Sequence, residues 1–286
     1  MKIGLIGMSH LGLVFAAGFA KLGHRVVAID KDKELITEIK KGKLRIFEAG
    51  LSELLKAGIL ENRINLVSDF SLLQGCSFAI LSLDTPLDNE ENLNLDPIFE
   101  LVELAIPHLA DPSVFLISSQ IVVGTCEIIQ DRINSLRLKS NIEVAYFPEN
   151  IRVGQSLEYF FKADRFVIGA KSLRVYEKIL VILEAIKAPK IWMDIKSAEI
   201  SKHALNAFLA SQVSFINEIA DICDAYGADI TNVAKALRLD SRIGKKAYFD
   251  AGLGITSPPI LRELKTLLRL AKNKDIRLAV IAGILE

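Results

Sequence analysis

No sign of charge prevails in this sequence: 35 Lys and Arg balance 35 Asp and Glu over 286 residues. Dedicated nucleic-acid binders and electrostatic membrane binders carry an excess of basic residues, so neither class of partner is expected. Long apolar runs are missing too. None approaches the roughly 18 residues that a membrane-spanning helix needs. The first residues, MKIGLIGMSHLG, place glycines, a serine and a histidine where a signal peptide has its continuous apolar region. Cysteine is scarce: Cys76, Cys126 and Cys223 are odd in number, far apart and without metal-ligand spacing. The expectation is a reduced, cytoplasmic protein with no bound metal.

What is present is ordinary globular usage, 51% apolar and 24% charged, with enough material for one large or two medium domains. The first half alternates short β-branched runs with helical patterns. Strands are expected at 2–7, 25–30, 63–68, 78–83, 114–119, 142–147 and 165–170. Helical crossovers between them predict a Rossmann-type doubly wound parallel sheet. From about Asp194 the texture changes. Some thirty positions carry apolar residues at helical spacing without a proline, until Gly227 ends the pattern as a C-terminal cap would. The fold class expected is α/β: a dinucleotide-binding domain over 1–195, then a long helix opening a small all-α domain over 196–286.

KIGLIGMSHLG reads as strand, tight turn and helix. Gly7 and Gly12 occupy the first and third positions of a dinucleotide fingerprint, with Ser9 in the middle and His10 and Leu11 completing the turn. The first glycine makes the turn and the last lets helix pack on strand. The helix N-terminus then offers free N–H groups to a pyrophosphate. Ser9 adds a Cβ and a hydroxyl that either crowd the phosphate or hydrogen-bond it. A second strand, HRVVAID, ends in Asp30, placed to accept from the adenosine ribose hydroxyls and to repel the extra phosphate of NADP. NAD is therefore the expected cofactor. His10 reads as a turn residue rather than a catalyst.

These segments resemble the UDP-glucose/GDP-mannose 6-dehydrogenases. The likeness runs through Glu48-Ala49-Gly50-Leu51, Thr85-Pro86, SSQIVVGT (118–125), FPENIRVG (147–154) and DRFVIG (164–169). It is closest in AEISKHALNAFLASQVSFINEIADICDAYGAD and LDSRIGKKAYFDAGLG. Members of that family, which serves polysaccharide biosynthesis, oxidise a sugar nucleotide's primary alcohol to a carboxylate and reduce two NAD. The resemblance implies that Gly7, Gly12 and Asp30 hold the adenosine half of NAD, with Thr85 further along the cofactor. Glu149 takes the place of the active-site glutamate, and Lys202 and Asn206 match the lysine and asparagine of the central helix. Their i, i+4 spacing sets both on one face, where an ammonium and an amide can stabilise a developing alkoxide. Gly252 and Gly254, in the substrate loop, and Arg242 are candidate substrate contacts. By resemblance Arg242 reaches the substrate of a partner subunit; otherwise it is a surface or capping arginine. The family dimerises through the long helix, so a homodimer is expected.

The departures carry as much weight. Pro259 stands where the family's nucleophilic cysteine belongs. Thr256 and Ser257 replace its paired glycines, and Arg262 and Glu263 its Lys and Asp. Gln120 stands in place of an active-site threonine, and Asn150 and Val153 in place of Phe and Glu. Relatives continue beyond the equivalent of Glu286 into a second Rossmann-like domain that grips the nucleotide, so that substrate wall is expected to be absent. The second oxidation needs a thiolate to capture the aldehyde, whereas a two-electron reaction needs only cofactor, Lys202 and Asn206. β-Hydroxyacid dehydrogenases resemble this plan and manage without a cysteine. The expected function is thus a two-electron, NAD-dependent oxidoreduction of a sugar nucleotide or related hydroxylated compound. An inactive NAD-binding partner or regulatory subunit, and a four-electron dehydrogenase completed by another chain, stay open.

Overall fold

The computed structural model describes residues 1–88, 92–148, 154–255 and 258–285. It falls into two compact units, residues 1–86 with 94–199 and residues 87–93 with 200–286.

The first unit is built on an eight-stranded sheet: β1 (Lys2–Ile6), β2 (Arg25–Ile29), β3 (Ile64–Val67), β4 (Phe78–Leu81), β5 (Ser113–Ile117), β6 (Ile142–Tyr146), β7 (Phe166–Ala170) and β8 (Lys190–Met193). Their order is β3-β2-β1-β4-β5-β6-β7-β8. β1 and β4 run parallel, but the order in which successive strands are added reverses between them. At such a switch point the carboxyl ends of the strands flank a crevice where α/β sheets bind ligands. Helices α1 (His10–Lys21), α2 (Lys33–Lys40), α3 (Leu51–Leu60), α4 (Asp96–Ala105), α5 (Thr125–Leu136), α6 (Ser156–Phe161) and α7 (Leu173–Ile182) complete the unit. Both faces are covered, so the strands are nearly continuous apolar runs, and β4 and β5 are buried throughout. Ile3, Leu5, Phe15 and Ala28 share one core layer; Ile6, Ile29, Leu81 and Phe115 share the other.

Two features differ from the parallel sheet of seven strands that the sequence predicts. β7 runs antiparallel to β6, with Ala145 opposite Ala170 and Tyr146 opposite Gly169. The connection between them makes no crossover: α6 packs Phe160 edge-on against Phe19 of α1 at 5.3 Å, and the chain re-enters the sheet from the end it left. The eighth strand, KIWM, has no buried residue and so lacks the apolar signal of the others. It pairs parallel with β7, and Trp192 donates to the Ala170 carbonyl at 3.1 Å.

The long helix α8 (Ile195–Tyr226) has 32 residues, about 48 Å of rise. Gly227, at φ +71°, ends it. The Ala228 N–H returns to the Cys223 carbonyl at 2.8 Å, and Gly227 N–H to Asp224, so two carbonyls at the helix end are satisfied. In the second unit Ala207 and Ala210 of α8 pack on Leu264 of α10 (Pro258–Lys272), and Ile216 packs with Ala234 of α9 (Ile230–Leu239) and Phe249. A short helix α11 (Ala279–Gly283) closes the described chain. Among the described residues no helix is long and apolar enough to cross a membrane.

Candidate functional site

The crevice between β1 and β4 is assembled from backbone first. Gly7 turns the chain at φ +90°, and a Cβ there would lie 3.1 Å from the Leu83 nitrogen. Gly12 lets α1 approach that turn: its Cβ would lie 1.9 Å from the Gly7 carbonyl oxygen, a separation no side chain tolerates. Leu13 is the first residue of α1 to bond back, to Ser9 O at 3.0 Å, so the N–H groups of His10, Leu11 and Gly12 precede the ladder. Together with the helix dipole they favour an anion. At the end of β2 the buried Asp30 accepts from Met8 N–H at 2.7 Å and from Asp32 N–H at 2.9 Å. Each carboxylate oxygen keeps a further lone pair, which suits it to accept ribose hydroxyls as well. Turn, helix start and Asp30 thus fit a dinucleotide.

Ser9 does not turn its hydroxyl loose into this space. Its Oγ donates to the Ser82 carbonyl and accepts from Asp84 N–H, both at 3.0 Å. The Asp84 carboxylate in turn accepts from His10 N–H at 3.2 Å. Beyond them Thr85 donates to the Gln120 carbonyl at 2.6 Å, joining the loops after β4 and β5.

The His10 ring is buried. Its Nε2 meets Glu48 at 3.2 Å and Ser156 Oγ at 3.3 Å. Serine and acid share one ring nitrogen, whereas a relay triad needs one on each. Glu48 also accepts from Gly154 N–H at 2.9 Å and Ser156 N–H at 2.7 Å. Burial pushes its carboxyl up, but these bonds outweigh burial and hold it below the ordinary carboxylate range. The sequence placed His10 in the cofactor turn but did not pair it with Glu48 or Ser156, and Asp84 was not among its candidates. The one signal for Asp84 was its place directly after a parallel strand, in LDTP.

In the second unit Lys202 and Asn206 sit one turn apart on α8, both partly buried. The intervening His203 is buried and pairs through Nδ1 with the equally buried Glu263 of α10. Glu263, at the position of the family's aspartate, therefore commits one oxygen to tying α10 to α8. The Gly252 N–H donates to Asn217 Oδ1 at 2.9 Å, and Gly254 turns at φ +80° beside the same side chain. Arg242 is exposed and makes a two-pronged pair with Asp240, at 3.0 and 2.7 Å. Glu149, Asn150, Val153, Thr256 and Ser257 lie outside the described residues. All three cysteines are buried. Burial pushes the Cys126 thiol far up, and the neighbouring Glu199 adds to it. That Glu199 accepts from Gly124 N–H at 2.6 Å and Cys126 N–H at 3.0 Å, which caps α5. Among the described residues no cluster of side chains could hold a metal.

Comparison with known proteins matches residues 1–187 to the UDP-glucose/GDP-mannose dehydrogenase family, NAD binding domain, and residues 196–286 to the central domain of that family. UDP-glucose 6-dehydrogenase TuaD of Bacillus subtilis is 31% identical over 287 residues, a span that takes in 100% of this chain and 62% of TuaD. The chain thus spans less than two thirds of that relative's length. A UDP-glucose dehydrogenase from the archaeon Pyrobaculum islandicum superposes with a TM-score of 0.93 at 29% identity, over 99% of this chain and 67% of that one. Mycobacterium tuberculosis 3-hydroxyisobutyrate dehydrogenase shares the fold alone, with a TM-score of 0.73 at 13% identity over 99% of this chain and 90% of that one.

Proposed function

Because this chain belongs to the UDP-glucose/GDP-mannose dehydrogenase family, we propose that it carries out a single NAD-dependent oxidation of an alcohol on a sugar nucleotide, without the second step to the acid. One observation carries the limit to two electrons. The substrate loop has Pro259 at the nucleophile's position, and Cys76, Cys126 and Cys223 are all buried. Without a thiolate no thiohemiacetal forms, and the aldehyde leaves as product.

When bound, NAD supplies the hydride acceptor. The turn from Gly7 to Gly12 and the N–H groups of α1 hold its pyrophosphate, Asp30 its adenosine ribose, and Thr85 and Gln120 line the path beyond. The Lys202 ammonium and the Asn206 amide hold the substrate hydroxyl and stabilise the alkoxide as its proton departs. Glu149 acts as acid or base through water. Gly252, Gly254 and Arg242 contact the substrate. A homodimer forms along α8, where Phe208, Phe215, Ile222 and Tyr226 are all exposed at spacings of seven, seven and four residues. A two-fold contact would cover such a stripe; sedimentation as a monomer at micromolar concentration would refute it. The chemistry is tested with NAD and a panel of sugar nucleotides led by UDP-glucose and GDP-mannose. NADH formation with at least one supports the reading. Cofactor binding without any turnover would favour an inactive NAD-binding partner instead.

A further inference from the structure

We propose that Asp84 is a resident anion on the cofactor's pyrophosphate site and that it lowers the affinity for NAD by competing for the start of α1. The inference rests on the reading that this crevice binds NAD. The N–H groups ahead of the α1 ladder are the donors that a pyrophosphate uses, and the first of them, His10 N–H, already meets the Asp84 carboxylate at 3.2 Å. A second contact holds the loop there: Ser9 Oγ accepts from Asp84 N–H and donates to the Ser82 carbonyl, both at 3.0 Å. These bonds span the gap between β1 and β4, the same gap the cofactor must enter. Ser9 and Asp84 act together, since a glycine at the fingerprint's middle position would have no hydroxyl to hold the loop. The Asp84 side chain is exposed, and its negative charge stands beside the place of a ligand whose pyrophosphate is also negative. Asp84 thus differs from Asp30, whose carboxylate lies at the ribose end of the site and assists binding.

Calorimetric titration of NADH into the wild-type protein, Asp84→Asn and Ser9→Gly tests this directly. Asp84→Asn keeps the shape and removes the charge. Its Kd should fall roughly three- to fivefold, the scale of one charge interaction at an exposed helix terminus. Ser9→Gly should shift it the same way by a smaller factor. Binding by Asp84→Asn alone would support the proposal most strongly. Measurable binding with an unchanged or raised Kd in Asp84→Asn would overturn the proposal and leave the NAD reading intact. No binding by wild type or any variant, with circular dichroism showing folded protein, would overturn both.

Discussion

The two units hold their candidate groups in different ways. In the first, recognition is written mostly in backbone: a turn that only glycine makes, a helix start with spare N–H groups, and a carboxylate at a strand end that also braces the turn. In the second, the candidates are single side chains, Lys202 and Asn206 one turn apart on α8, and a loop with Pro259 at the position of the family's cysteine. A backbone device changes only with the fold, while a side-chain device can lose one member and leave the fold standing. A proline can therefore stand at the cysteine's position while the fold that carries the glycine turn is unchanged.

The largest effect that could break this contrast is steric. Gly12→Ala puts a Cβ against the Gly7 carbonyl and should cost about 3 kcal/mol or more of stability, as overpacking at its worst does. Gly252→Ala meets nothing within 4 Å and should stay within about 0.5 kcal/mol of wild type. Urea unfolding of both proteins measures the difference, and equal losses would erase the distinction between the units. Next comes Lys202→Ala. Turnover should fall by roughly 10²- to 10³-fold, the range of one lost donor to a developing oxyanion, while the Kd for NADH stays within about twofold of wild type. Loss of NADH binding in that variant would show that the two sites are not separable.

The smallest effect concerns acid. The Glu48 carboxyl is held below its usual value of 4.5 in the fold, so its stabilising contribution is present above that pH. It is lost as pH falls through the lowered value. Thermal unfolding of Glu48→Gln should therefore fall less steeply than wild type on acidification below about pH 4.5. Identical acid slopes would mean the bonds from Ser156, Gly154 and His10 are not made in solution.

Much of the fold was legible because its signals are local. Short apolar runs between turns marked β1 to β7, and Gly227 marked the end of α8. β8 and the reversal at β7 were not, since one is an edge strand with no buried residue and no apolar alternation, and the other depends on how a connection packs. The site divides the same way. Gly7, Gly12 and Asp30 form a motif within one supersecondary unit, whereas the bond from His10 to Asp84 joins residues 74 apart and that from Ser156 to Glu48 joins residues 108 apart. No spacing rule connects such pairs. The sequence left open whether Ser9 crowds or binds a phosphate; the structure instead commits its hydroxyl to Ser82 and Asp84.

The most direct test of the central claim is the stoichiometry of turnover: NADH formed per substrate consumed, with excess NAD and a carbonyl trap such as hydroxylamine. One NADH and a trapped aldehyde are predicted. Two NADH and a uronic acid would contradict the account, because a chain without a usable thiol would then be completing the second oxidation.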